Sequence, residues 1–271
     1  MRRRLLPLAI ACALVAPGAW ALDCPQPLRV GLSDAPFPPM INGQGPHLAD
    51  PPGWAVQAVR EAAQRLGCDV DVQRLPGRRM SLLLEQGLLE FVLFFGATPE
   101  RLKTMRFPLD AAGRPDVGLA PLMGHLVFYA LPGGVPARGG PPWDGATLAA
   151  ELRVGAVVGT VQEQVARARG WRLETPQTFE GALQMLRAHR FDLLLATRET
   201  LTPDMHSADL VEIAPVVQEL PYFVPTNPQL WSTHTDFVRA FWREACQAVR
   251  RLAPEARSAD CGLPPAGPAR R

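Results

Sequence analysis

Short apolar runs and longer amphipathic stretches take turns along this chain. Leu28 to Leu32, Asp69 to Arg74 and Phe91 to Phe95 read as strands, the last an unbroken apolar run of the kind expected where a sheet is covered on both faces. Between them, Trp54 to Leu66 and Arg78 to Glu85 read as helices; in the second, Met80, Leu83 and Leu84 recur at helical spacing and Gly87 supplies a stop. Strand and helix in alternation predict a parallel sheet with right-handed crossovers. His125 to Leu131 reads as a strand leaving this unit, and a glycine- and proline-rich linker follows from Pro132 to Pro142. A second unit carries strand Leu152 to Val158, helix Gln162 to Arg169, helix Phe179 to Ala188 and strand Phe191 to Ala196. Ala214 to Phe223 reads as the return to the first unit. Asp236 then caps an amphipathic helix in which Phe237, Ala240, Phe241, Ala245 and Val249 share a face. Pro254 and the proline- and arginine-bearing tail end the ordered part.

About 250 residues are long for one three-layer unit and comfortable for two lobes. Crossings near Gly118 to Gly124 and Leu220 to Val224 would make a hinge, and a cleft between hinged lobes is a place to close on a small ligand. The candidate chemistry centres on Arg101, in Thr98-Pro99-Glu100-Arg101 on the loop beyond the third strand. Ligands of open α/β sheets bind past the carboxyl ends of strands, where an arginine offers a planar fork that matches a carboxylate. The plainer alternative is a solvated loop arginine.

Charge and targeting change this picture in one respect. Arg2, Arg3 and Arg4, apolar Leu5 to Val15 and Ala19-Trp20-Ala21 read as an export signal, with an apolar stretch too short to span a bilayer and a small-x-small cleavage site. The mature protein is expected to start at Leu22 and to reside in the periplasm. Asp23 before Cys24 makes a poor lipidation site, and Pro17 speaks against a retained anchor. Lys+Arg number 28 against 26 Asp+Glu; without the three signal arginines the formal charge is about −1. Arg78-Arg79 and Arg270-Arg271 are isolated pairs without interleaved aromatics, so no nucleic acid is expected as partner. Lys103 is the single lysine, which leaves little room for lysine chemistry. No CxxC pair is present, and His47, His125, His189, His206 and His234 show no ligand spacing, so neither metal nor cofactor is expected.

Gly87-Leu88-Leu89-Glu90, the strand Phe91 to Phe95, Thr98-Pro99-Glu100-Arg101 and Phe107-Pro108 resemble the stretch G-x-x-D, strand, T-x-x-R, F of the family 3 solute-binding proteins, the periplasmic receptors of amino-acid ABC transporters. Leu28-Arg29-Val30-Gly31 with Phe37-Pro38-Pro39-Met40 is similar to that family's first strand and aromatic loop, and Gly53-Trp54-Ala55-Val56-Gln57-Ala58-Val59 to its glycine-led first helix. Arg153-Val154-Gly155 to Gly159-Thr160-Val161-Gln162-Glu163 is similar to its second-lobe strand and turn. The resemblance covers nearly the whole mature chain. It implies an α/β, two-lobed, periplasmic-binding-protein-like type II fold, each lobe a mainly parallel sheet flanked by helices, with two hinge crossings. The expected division is a signal peptide at 1–21, a discontinuous first lobe at 22–120 and 222–261, a second lobe at 121–221 and a disordered tail at 262–271.

The resemblance also implies a site. Arg101 takes the position that grips an amino-acid carboxylate, with Phe37, Gly96, Thr98, Thr160, Val161 and Thr197 as the accompanying ligand-binding set. Thr160, where a strand meets a helix, would add backbone donors for an anion or else simply cap the helix. Phe37 would stack on a ligand or pack its own loop, and Trp54 is expected in the core. Two departures stand out. Thr197 occupies the position of the family's ammonium-binding aspartate, five residues beyond Asp192, and an uncharged hydroxyl makes no charge-assisted bond. Phe94, Phe95 and Gly96 stand where hydroxyl residues are usual, which makes the pocket drier. Glu199 could replace the missing acid, or form a solvated pair with Arg198. The expected ligand is therefore small, polar and carboxylate-bearing, without commitment to a standard amino acid.

Four cysteines survive processing and meet an oxidising compartment. Of the three possible pairings, the strand order favours Cys24 with Cys68, which precede adjacent parallel strands, and leaves Cys246 with Cys261. The expectation is a monomeric binding receptor, not an enzyme, working with an inner-membrane ABC permease. Two other classes stay open. An enzyme such as a cyclohexadienyl dehydratase on this fold would need a general acid or base, for which Glu90, Asp110 and His125 are isolated candidates. An accessory or sensor protein would use the two lobes as a docking surface for a periplasmic partner.

Overall fold

The computed structural model describes residues 23–135, 141–200, 210–256 and 260–262. The expected export signal, residues 136–140 of the expected linker and the tail beyond 262 lie outside them. Leu28–Ser33 (β1) pairs in parallel with Val70–Leu75 (β2) on one side and Phe91–Val92 (β3) on the other, giving the order β2-β1-β3. Trp54–Arg65 (α1) and Gly77–Glu85 (α2) make the crossovers, as the alternation predicted. Gly87, at φ 69, adopts the left-handed turn that stops α2.

The apolar run Phe91 to Phe95 is buried as expected, apart from Phe94, but it is not one strand. Phe94 has φ 59, a left-handed conformation that turns the chain out of the first sheet. Phe95–Gly96 (β4) then joins a second sheet, antiparallel to Val211–Phe223 (β9), with Gly96 opposite Tyr222. Apolar periodicity reports burial and not which sheet does the burying. Arg101 correspondingly lies in a short helix, Pro99–Thr104 (α3), rather than on an open loop past a parallel strand.

Six strands form the second sheet. Leu122–Ala130 (β5) pairs antiparallel with β9 and with Leu193–Thr197 (β8), and β8 continues in parallel through Arg153–Gly155 (β6) to Arg172–Glu174 (β7). The parallel half of this sheet belongs to the second βα unit, with Val161–Ala168 (α4) and Phe179–Arg187 (α5) beside it. The antiparallel half consists of the long crossing strands. Beyond β4 and α3, two further elements were not expected from the pattern: β7, and the one-and-a-half-turn helix Pro228–Thr233 (α6). The final helix, Thr235–Leu252 (α7), takes Asp236 into its first turn instead of using it as the cap.

Packing ties these elements together. Phe241 of α7 stacks on Phe91 with centroids 4.2 Å apart, which seals the first sheet beneath α1 and α7. In the second lobe, a β-carbon on Gly155 would lie 2.2 Å from the ring of Phe191, so the absent side chain makes the space that the ring occupies. Cys24 and Cys68 are bonded, with Cα atoms 5.8 Å apart, and so are Cys246 and Cys261, at 5.4 Å. Among the described residues no helix is long and apolar enough to cross a membrane, and no group of three His, Cys, Asp or Glu side chains is placed to hold a metal.

Candidate functional site

A cavity of about 580 Å³ lies between the two sheets, and its walls come from both units of the chain. On the first side the segment from Asp34 to Gly53 supplies Phe37, Met40 and Ile41. This segment has no regular structure, so its carbonyl groups need donors. Arg74, only 3 % exposed, provides them: its guanidinium donates to the backbone oxygens of Ser33, Asp34, Ala35, Asn42, Gly43 and His47 at 2.8 to 3.2 Å. Burial pushes its pKa down, and the nearby charge of Asp34 works the other way. The segment ends at Gly53, φ 97, where a β-carbon would sit 2.4 Å from the oxygen of Met40.

Arg101 reaches the cavity from α3. Thr98 caps that helix, its hydroxyl accepting from the Arg101 N–H at 3.4 Å, and so fixes where the side chain starts. The guanidinium donates to the oxygen of Gly96 at 3.1 Å and, across the cleft, to the oxygen of Gly159 at 3.2 Å, while lying 4.4 Å from the centroid of the Phe95 ring. No carboxylate among the described residues pairs with it. Desolvation pushes its pKa down to about 10, against the opposing influence of Tyr222 and Glu100. A cation that is partly stripped of water, and held only by neutral oxygens and a ring, is poised for an anion.

The opposite wall is built by the turn before α4. Thr160 uses its hydroxyl to cap the helix, accepting from Glu163 N–H at 3.3 Å and donating to Val157 O at 2.6 Å, and the Glu163 carboxylate returns to Gly159 N–H at 2.6 Å. The N–H groups of Val161 and Gln162 donate to no acceptor among the described residues, so they are the anion donors that this turn offers. Deeper in, the fully buried Thr197 hydroxyl takes a hydrogen bond from Gln162 Nε2 at 2.7 Å and shares another with Tyr222 OH at 2.6 Å. Burial raises the Tyr222 phenol to about 12.

Of the residues expected from the sequence, Phe37, Arg101, Thr160, Val161 and Thr197 line this one cavity. Thr98 and Gly96 do not: the first caps α3, and the second gives Arg101 its carbonyl, with no room for a side chain because Val161 is 3.2 Å from a β-carbon there. Glu199 does not stand in for the missing acid. Its carboxylate accepts from the backbone N–H of His125 at 2.9 Å and lies 2.6 Å from His125 Nδ1, away from the cavity. Arg198 pairs with Glu212. Trp54 lies outside the lining and packs edge-on against Phe94 at 5.7 Å. Phe94, expected from the resemblance as a drying substitution at the strand end, does line the cavity, whereas Gln162, Tyr222 and the organising role of Arg74 were not expected. Gln162 left a trace in the second-lobe turn motif, and Tyr222 as one of two tyrosines in the chain and part of an expected crossing.

The candidate acids and bases lie elsewhere. Glu90 is paired with Arg29 at 2.8 Å, Asp110 with Arg114 at 3.0 Å, and His125 with Glu199; none lines the cavity.

Two lobes joined by long crossing strands, with a cleft between them, define the two-lobed periplasmic-binding-protein fold. No family model and no curated protein matches the chain. Among the solved structures that resemble it is the holo arginine-binding protein ArgBP of T. maritima, 20% identical with a TM-score of 0.58 over 83% of this chain and 89% of that one. A substrate-binding protein of an ABC uptake transporter from Streptococcus pneumoniae, with bound histidine, is 15% identical with a TM-score of 0.62 over 86% and 94%. The ancestral amino acid-binding protein AncCDT-1, a precursor of cyclohexadienyl dehydratase, is 16% identical with a TM-score of 0.62 over 84% and 94%. At these identities the likeness is one of fold.

Proposed function

We propose that this chain is an exported solute-binding protein which closes its interlobe cleft on a small carboxylate-bearing ligand and hands it to an inner-membrane ABC permease. In this reading the lobes divide at 22–120 with 222–261 and at 121–221, and the protein acts as a periplasmic monomer. The observation that carries it is Arg101, a partly desolvated guanidinium in the cleft without a carboxylate partner, facing the first N–H groups of α4 across the cavity. The resemblance in fold to structures with bound arginine and bound histidine supports a small-molecule ligand. The cavity favours this over a docking surface alone, and its lining lacks the isolated acids and the histidine that an enzyme reading would use.

Native mass spectrometry of protein purified without refolding tests the reading. Wild-type protein should carry a small carboxylic acid that Arg101→Ala protein lacks. Retention of the same molecule by Arg101→Ala would refute the carboxylate anchor.

A further inference from the structure

We propose, resting on the solute-binding reading above, that the ligand is a monocarboxylate with an apolar, preferably aromatic body and no α-ammonium group. Two acceptors near the inner end of the cavity that could meet an ammonium are committed. The Thr197 hydroxyl is closed off by Gln162 and Tyr222, and both Glu199 oxygens are held by His125. Two carboxylates also line the cavity without an ion pair among the described residues: Asp34, whose charge acts on Arg74 while that guanidinium bonds only backbone oxygens, and Glu180, an exposed acid in the first turn of α5, where the helix dipole favours its charge. Against these stand Arg101 and Arg78, both on the wall and neither paired with a carboxylate among the described residues. An ammonium placed against Thr197 loses its water and gains no charge-assisted bond there.

The walls select the body. Phe37, Met40, Leu93, Phe94, Leu122 and Val157 surround the space beside Arg101. Phe94 is held at φ 59, where a β-carbon crowds the backbone and glycine is the relaxed residue, with its ring braced by Trp54. Strain of this kind persists where the surroundings impose it and concentrates at ligand clamps. Phe94 is therefore assigned as the specificity-determining wall, with the ligand ring against it and the carboxylate on Arg101.

Calorimetric titration with matched pairs tests this. 3-Phenylpropionate and hexanoate should bind at least tenfold tighter than L-phenylalanine and L-norleucine, which differ from them only by the α-ammonium, and succinate should bind more weakly than hexanoate. Phe94→Gly releases the left-handed strain, which offsets part of the ring packing lost against Trp54, and in protein that remains folded it should weaken 3-phenylpropionate at least fivefold. An amino acid that binds as tightly as its deaminated partner, with binding lost in Arg101→Ala, overturns this inference and leaves the solute-binding reading standing. Succinate equal to hexanoate overturns the apolar body, and unchanged 3-phenylpropionate affinity in Phe94→Gly overturns the role of that ring. Failure of every one of the five compounds to bind counts against both readings.

Discussion

Replacement of Arg101 separates binding from folding, because the two effects have different sizes. Depression of its pKa from the ordinary arginine range to about 10 corresponds to a burial cost on the order of 3 kcal/mol at neutral pH. The sign follows from linkage: the unfolded chain holds the proton more tightly, so this cost is fully present below about pH 10 and fades as pH rises from there toward the ordinary arginine range. Offsetting it are two hydrogen bonds from a charged donor, to Gly96 and Gly159, worth about 1.5 to 3 kcal/mol each, and the Phe95 ring contact, worth about 0.5 to 1 kcal/mol. Removal of the side chain should therefore cost the empty protein no more than about 3 to 4 kcal/mol, a Tm decrease below about 15 °C for a chain of this size. Binding should suffer differently, since loss of one partner of a desolvated charge pair costs about 2 to 5 kcal/mol, or roughly 30- to several-thousand-fold in Kd. Arg101→Ala and Arg101→Lys are to be titrated against the carboxylate that wild-type protein binds most tightly, alongside thermal unfolding. Lysine retains the charge but not the fork, and should still lose at least tenfold in affinity. Unchanged affinity in Arg101→Ala at near-wild-type Tm refutes the reasoning.

Four further outcomes are expected. Arg74→Met should remove a donor from six carbonyls, of which Asp34 O still accepts from the Gly45 N–H, and speed chymotryptic cleavage after Met40; an unchanged cleavage rate would show that the segment from Asp34 to Gly53 holds itself. Non-reducing peptide mapping should recover Cys24 linked to Cys68 and Cys246 linked to Cys261, each bond contributing about 2 to 4 kcal/mol; free thiols or a Cys24–Cys246 peptide would reject the pairing. Small-angle scattering should give a smaller radius of gyration with bound ligand than without, and an unchanged radius with a proven ligand would count against hinge closure. Thr197→Asp should lower the Tm, because it buries a carboxylate beside Tyr222, while shifting preference toward α-amino acids; a lower Tm without that shift would mean that position 197 does not face the ligand.

The sequence alone determined what depends on local pattern. The order of most helices and strands, the adjacency of β1 and β2, the α2 stop at Gly87 and the amphipathic face of α7 were legible, because period and turn chemistry act over a few residues, and the motif resemblance named Phe37, Arg101, Thr160, Val161 and Thr197, which line the cavity. Tertiary structure decided the rest. The run Phe91 to Phe95 is split between two sheets by the left-handed Phe94, a choice made by partners at Phe223 and Tyr222, more than a hundred residues away. Arg74, read as the end of a strand, became the hub of the cavity-side segment only when the folded chain brought six carbonyls within its reach. Thr197 lost an open hydroxyl to Gln162 and Tyr222, and Glu199 was claimed by His125, through hydrogen bonds spanning 25 to 74 positions. The position of a residue in a motif is a local property, whereas the availability of its polar atoms depends on which distant groups satisfy them first.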